Sequence, residues 1–275
     1  MEIARPGEVD FTRPHPVRVY DYWLGGKDNY AVDREVADRL AAAFPRMPQA
    51  ARANRRFLQR AVPRLVRELG IRQFLDIGSG MPTRRNTHEV AQEIDPTARV
   101  VYVDNDPVVA AHSRALLAGD PRGATAFVHG DAADPAAVLA DPGLRAVLDP
   151  DEPVGLMMLA VLPFLPEDVA VRSVRAFLDA LPPGSIVTIS HPTTDFAPEY
   201  GEFAERAART PGLTYTPRSR EQVEAMFAGA ELLEPGLVPM LAWRPEQAGP
   251  RGSELSIHFL VGMGRRPANP TTAAP

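Results

Sequence analysis

The sequence contains no cysteine, and its 30 cationic side chains include a single lysine, Lys27. Without cysteine there is no disulfide, no thiol nucleophile and no thiolate-bound zinc. Nothing then argues for an oxidising compartment, and a cytoplasmic protein is expected. Aromatic residues make up only 7% of the 275 residues, so a local cluster of them stands out. Long apolar runs are missing too: the longest, Val154–Leu165, has 12 residues and carries Pro163. A membrane-spanning helix needs about 20, so this run reads as a buried strand and its exit. Met1–Pro16 lacks the apolar stretch of a signal peptide. A net charge of −5 gives no overall pull toward nucleic acid or an anionic membrane. Neither partner is expected. No His pair has the spacing of metal ligands, and no metal is expected.

What is present is a globular composition, 45% apolar and 24% charged, with 20 Gly and 29 Pro. Such a chain suits many short elements joined by tight turns. After an N-terminal tail, 1–16, residues 17–70 read as a helical cap. Phe57, Leu58, Ala61, Val62, Leu65, Val66 and Leu69 line one helical face, Pro63 predicts a kink or a later start, and Gly70 marks the end. From residue 71 the pattern alternates. Strands are predicted at Gln73–Ile77, Val100–Val103, Ala126–His129, Val154–Leu159 and Ser185–Ser190. Helices are predicted between them at Thr87–Ile94, Pro107–Ala118, Pro135–Leu139 and Pro166–Leu181, with Asn86 and Glu89 forming a capping-box-like start. This order predicts an α/β, doubly wound, mainly parallel sheet with helices on both faces. Residues 192–230 read as a lid, containing Asp195, Phe196, Tyr200 and a helix at Arg218–Ala228 capped by Ser219 and Gln222. Two more strands, Glu231–Val238 and Leu255–Met263, make the sheet seven-stranded with an antiparallel C-terminal edge. The domain then spans 71–265, with a tail at 266–275.

The densest chemical signal is Phe74-Leu75-Asp76-Ile77-Gly78-Ser79-Gly80, a strand with an acid near its end and two glycines beyond it. Glycine lets the backbone turn sharply and approach a ligand closely. The second strand ends in Asp104-Asn105-Asp106 and the third in His129-Gly130-Asp131. An acid at the end of the second strand suits the vicinal hydroxyls of a ribose. Together these exits predict a nucleoside-containing ligand. A dinucleotide fingerprint would place a third glycine where Thr83 stands, behind Pro82, and a phosphate loop would need a Gly-Lys pair. A nicotinamide cofactor therefore fits poorly. A carboxylate beside the glycine turn suits a ligand with a positive amino group and no phosphate, such as S-adenosylmethionine.

Phe74–Gly80, Val103–Asp106, Gly130–Asp131 and the Leu181-Pro182-Pro183-Gly184 turn resemble the class I S-adenosylmethionine-dependent methyltransferases. More narrowly, Arg18–Tyr30, which contains Tyr20-Asp21-Tyr22-Trp23-Leu24-Gly25-Gly26-Lys27-Asp28-Asn29-Tyr30, and Val101–Pro107 resemble one bacterial family of that fold whose substrate is uncharacterised. The resemblance implies a Rossmann-like methyltransferase sheet. It also implies that Asp76, Gly78 and Gly80 line the methionine end, Asp104 holds the ribose, Asp131 meets the adenine edge and Asn105 flanks its ring. Ser79, Ala132 and Ala160 complete the expected cofactor-binding set. Pro82 departs from the superfamily, which often has a third glycine there.

The N-terminal motif gathers three tyrosines, a tryptophan and the only lysine. Aromatic rings can close over an adenosine or a sulfonium, so Tyr22 is expected at the cofactor, with Lys27 near a carboxylate or Asp28. An aromatic helix packed on the sheet edge explains the same pattern. Arg55 is expected to reach a carboxylate of cofactor or substrate. A base is needed only where the acceptor must lose a proton. His191, after the fifth strand, and Tyr22 are the catalytic expectations; His88 follows the glycine loop, and His15, His112, His129 and His258 read as structural or surface. The expected function is methyl transfer to a small-molecule oxygen or nitrogen. The alternative is a regulatory module that binds the cofactor without catalysis.

Overall fold

The computed structural model describes residues 10–83, 85–116, 119–196, 201, 215–244 and 257–268. Tyr200, Leu255, much of the expected lid and the distal ends of both tails lie outside the described residues.

Three helices open the chain: α1 (Pro16–Leu24), α2 (Ala31–Ala43) and α3 (Met47–Arg67). Pro63 does not end α3, which begins at Met47 and runs to Arg67. The burial of Phe57, Leu58, Ala61, Val62 and Leu65 against the sheet outweighs one missing backbone bond. Gly70 takes φ +69° beyond the end, where Ile71 N–H reaches the Leu65 carbonyl.

The alternation then appears as β1 (Gln73–Ile77), α4 (Thr87–Gln92), β2 (Arg99–Asp104), α5 (Pro107–Leu116), β3 (Ala124–His129), α6 (Pro135–Ala140), α7 (Pro142–Val147), β4 (Val154–Leu159), α8 (Glu167–Ala180) and β5 (Ile186–Pro192). It closes with α9 (Arg220–Ala225), β6 (Glu231–Leu232), β7 (Val238–Pro239) and β8 (Phe259–Arg265). The expected strand Glu231–Val238 is split into β6 and β7. Pro235 and Gly236 lie in the interruption, with Gly236 at φ +82° and its N–H on the Leu233 carbonyl. Among the described residues the sheet therefore has eight strands, ordered β3-β2-β1-β4-β5-β8-β6, with β7 also paired to β8. β1 to β5 are parallel; β8 runs antiparallel to β5, β6 and β7. This is the doubly wound, mainly parallel methyltransferase-type fold with an antiparallel edge.

Strand alternation sorts the core into two layers. Leu75, Ile77, Val101 and Val103 face a layer shared with α6, α7 and α8. Phe74, Val100 and Tyr102 face α3 and α4. Asp76 shares the Phe74 face, which sets its neighbours: Thr87 from α4 and Arg55 from α3. The strand order reverses between β1 and β4, because β2 and β3 lie on one side of β1 and β4 on the other. At such a switch point the strand ends diverge and leave a crevice for a ligand.

Candidate functional site

A cavity of about 260 Å³ occupies that crevice, walled by the exits of β1 to β4 and covered by α1. Its floor is the glycine turn. Gly78 and Gly80 both take φ +68°, a conformation that favours glycine, and the N–H groups of Gly78 and Ser79 share the Val103 carbonyl. A Cβ on Gly78 would run into Val161, whereas Gly80 faces open space. Ser79 Oγ is buried with no hydrogen-bond partner among the described residues. An orphaned hydroxyl facing a cavity is a place for a polar ligand atom.

Three carboxylates stand around this floor. Asp104 accepts from Gly80 N–H at 2.8 Å through Oδ2 and from Asp106 N–H at 3.0 Å through Oδ1, tying the two loops together. Each oxygen keeps acceptor capacity, and burial pushes its carboxyl above the ordinary range. Asp76 accepts from Thr87 Oγ1 at 2.6 Å. Burial raises its pKa to about 6, against the lowering effects of Thr87 and Arg55. Asp131 is exposed; it accepts from Ala133 N–H at 2.8 Å and from Asn105 Nδ2 at 3.1 Å. The cavity is thus anionic around an otherwise carbon-rich wall. These residues, with Asn105, Ala132 and Ala160, all line it. Arg55 lines it too, donating to Thr83 Oγ1 and to Asn86 Oδ1 at 3.1 Å.

The roof explains the aromatic motif. α1 stops where Gly25 takes φ +82°, and Asp21 Oδ2 accepts from Asp28 N–H at 3.0 Å and Asn29 Nδ2 at 2.8 Å. A Cβ on Gly26 would collide with the Asp21 carboxylate. The Gly-Gly-x-Asp-Asn segment is therefore a turn wrapped around Asp21. Tyr20 and Asp21 line the cavity. The Tyr20 hydroxyl donates to the Ala51 carbonyl and accepts from Asn54 Nδ2, whose Oδ1 accepts from Ser190. Burial raises the pKa of both Tyr20 and Asp21.

Some expected site residues stand elsewhere. Tyr22 packs among Val19, Val36, Leu40 and Met47, because it projects from α1 away from the cavity that Tyr20 and Asp21 face. Lys27 is exposed on the turn and does not line the cavity. His191 is fully buried outside it: Nδ1 faces the Pro192 carbonyl at 2.7 Å, and Nε2 faces Arg218 Nη1 at 2.7 Å. Burial drives its pKa down to about 3. Both ring nitrogens are occupied, so His191 supports structure. Its partner Arg218 also donates to the carbonyls of Leu162 and Leu165, pinning the segment after β4. His88 is buried with Nδ1 2.8 Å from the Tyr102 hydroxyl. Asp195 accepts from Arg220 N–H, and Phe196 packs on the core.

The sequence reading missed His15, Pro16, Val17, Asp21 and Tyr20 as cavity wall. His15 Nδ1 lies 2.9 Å from Asp106 Oδ2. Val17 packs on Met81, Val108 and Val109, which seats α1 over the glycine turn. Against the raising effect of burial, His15, the Val108 N–H and Arg18 hold the Asp106 carboxyl below its ordinary range.

An open sheet with this strand order, a glycine turn after β1 and acidic exits on β2 and β3 defines the class of S-adenosylmethionine-dependent methyltransferase folds. A family model described as S-adenosyl methyltransferase matches residues 3–267, and the chain belongs to that family. Membership implies S-adenosylmethionine as methyl donor. Among solved structures, the chain is similar to a DUF574 family protein of Streptomyces avermitilis, with 42% identity, 94% of this chain and 100% of that chain covered, and a TM-score of 0.90. It is similar to a proposed methyltransferase of Thermobifida fusca at 41% identity, covering 94% and 97%, with a TM-score of 0.88. Human N-acetylserotonin methyltransferase, solved with SAM, shares the fold at 12% identity, covering 93% and 63%, with a TM-score of 0.50. No curated protein matches the chain. Among the described residues no helix is long and apolar enough to cross a membrane.

Proposed function

We propose that the protein transfers a methyl group from S-adenosylmethionine to an oxygen or nitrogen of a small molecule. The observation that carries this reading is the joining of Asp76, the Gly78–Gly80 turn and Asp104 in one cavity under α1. The cofactor, when bound, supplies a methyl on a positive sulfur: the S–C bond breaks, a C–O or C–N bond forms, the electron pair returns to sulfur and the acceptor's proton leaves. Asp104 would accept from the ribose hydroxyls, and Asp76 would face the amino group. Ser79 would meet the methionine carboxylate, with Asn105, Asp131 and Ala132 at the adenine. An anionic lining favours a cationic ligand over a phosphate-bearing one. The cavity of about 260 Å³ under α1 and the net charge of −5 favour a small acceptor over nucleic acid.

Asp21 is the proton acceptor in this reading. It lines the cavity, and among the described residues its Oδ2 holds Asp28 N–H and Asn29 Nδ2 while Oδ1 packs against Gly26, so the carboxylate is fixed at the cavity wall where an acceptor would meet it. Its raised pKa brings it nearer to neutrality, where a carboxylate base works better. Asp21→Asn keeps an oxygen for the Asp28 and Asn29 contacts but cannot take a proton. Transfer of radiolabelled methyl to a panel of amines, phenols and alcohols should fall about 10²-fold or more in this variant. S-adenosylhomocysteine binding should be retained. An unchanged rate would remove Asp21 from the mechanism, and no transfer by the native chain to any acceptor would favour cofactor binding without catalysis.

A further inference from the structure

Helix α1 separates two spaces of opposite character. Val17, Asp21 and Leu24 face the anionic cavity, whereas Val19 and Trp23 face a second cavity of about 40 Å³ behind it. Pro16 and Tyr20, on the boundary of α1, belong to both, and so do Ala160 and Phe164 beyond β4. The second cavity is closed by Leu40, Met47, Ala50, Ala51 and Phe259, with Tyr215 against Phe164 at 5.8 Å between ring centroids. Among the described residues, no charged side chain lines it, and the acidic groups of the site, Asp21, Asp76, Asp104 and Asp131, line the other cavity.

We infer that this apolar chamber is the acceptor's subsite, holding a short branched or aromatic-edge hydrocarbon group while the nucleophile points back past Tyr20 into the main cavity. The inference rests on the methyltransferase reading above. Several observations join to support it. The chamber shares walls with the cavity assigned to the cofactor, so a molecule seated in it borders the reacting groups. Among the described residues its lining is almost entirely carbon, and an unpaired polar group in such a lining is costly. About 40 Å³ of water-sized space takes an apolar group of roughly three heavy atoms, too little for a nucleobase or a sugar. Ala160, on the shared wall, holds φ +59°, a conformation that non-glycine residues adopt rarely and that clusters at ligand sites. The Tyr20 ring is fixed on the boundary because its hydroxyl is held by Ala51 and Asn54. An acceptor of this kind is an uncharged alcohol, phenol or amine carrying a compact hydrocarbon end.

The test uses the full chain saturated with S-adenosylhomocysteine, with that binding measured first by calorimetry. Saturation-transfer NMR then compares 2-methylpropanol with glycerol, an equally small but polar probe. The expected result is contact with 2-methylpropanol and none with glycerol. Ala51→Leu, which adds three carbons to the chamber, should weaken the apolar probe about tenfold or more and leave S-adenosylhomocysteine affinity within about twofold, since even one methylene in an apolar pocket carries a discrimination of about tenfold. Leu40→Ala, which enlarges the chamber, should strengthen binding of the bulkier benzyl alcohol by a similar factor, and it decides the matter if Ala51→Leu does not fold. Equal contact by both probes, or apolar binding that neither variant moves, overturns the inference. Failure to bind S-adenosylhomocysteine at all overturns the methyltransferase reading instead.

Discussion

Asp76 and His191 are both buried, and they push stability in opposite directions on acidification. His191 titrates near 6.5 in an unfolded chain but only at about 3 in the folded one. Below about pH 6.5 the unfolded state therefore takes up a proton that the folded state refuses, and stability falls by about 1.4 kcal/mol per pH unit. Asp76 titrates near 3.8 unfolded and at about 6 folded. Between those values the folded state holds the extra proton, so acid favours folding with a slope of similar size. The two largely cancel from about pH 6 to pH 4. Asp76→Asn should lose the offset, and its urea-unfolding free energy should fall relative to the native chain as pH drops through this window. Parallel curves would show that Asp76 is not held in the raised state. Asp76 was legible in the sequence because an acid amid a strand's apolar residues conflicts with burial unless it serves a site. His191 was legible only as a strand-end histidine. Its partner Arg218 lies 27 residues away, and nothing local announces the pairing.

The β1 exit and the Arg218 hub are the elements on which the site's shape depends. Gly78→Ala places a methyl against Val161 in a backbone conformation that already disfavours alanine. We expect a loss of about 2 kcal/mol or more in stability and a weakened hold on S-adenosylhomocysteine. Wild-type values in both measurements would contradict the tight approach of β1 to the segment after β4. Arg218→Met removes donors from the carbonyls of Leu162 and Leu165; Leu162 keeps the Leu165 N–H, so the main loss is at Leu165, about 1–3 kcal/mol. Thermal unfolding should show a destabilised variant; an unchanged midpoint would mean that other donors replace the guanidinium. β1 to β5 were readable because parallel buried strands are short apolar runs between turn residues. The split of Glu231–Val238 into β6 and β7 was also written in Pro235-Gly236, but two-residue strands carry no periodicity. α7 escaped notice because Asp141 N-caps it only one residue after α6 ends, at Ala140.

For the molecule as a whole, the sheet supplies the carboxylates and the N-terminal helices supply the roof. The first half was visible in sequence, since three successive strands announce their polar exits within a few residues. The roof was not. Which face of α1 looks down depends on Val17 seating against Met81 and Val108, a contact between distant segments, and on Asp21 gathering Asp28 and Asn29 seven and eight residues on, in a turn whose composition alone does not say which side chain it wraps. Aromatic content drew attention to Tyr22, while the cavity takes Tyr20 and Asp21. The central claim is that this joint cavity grips an adenosyl ligand without phosphate. Isothermal titration of the full chain with S-adenosylhomocysteine and, separately, with NAD tests it most directly. The account predicts one molecule of S-adenosylhomocysteine bound per chain, an affinity reduced about tenfold or more in Asp104→Ala, and no heat with NAD. Binding of NAD alone, or S-adenosylhomocysteine binding indifferent to Asp104→Ala, would contradict it.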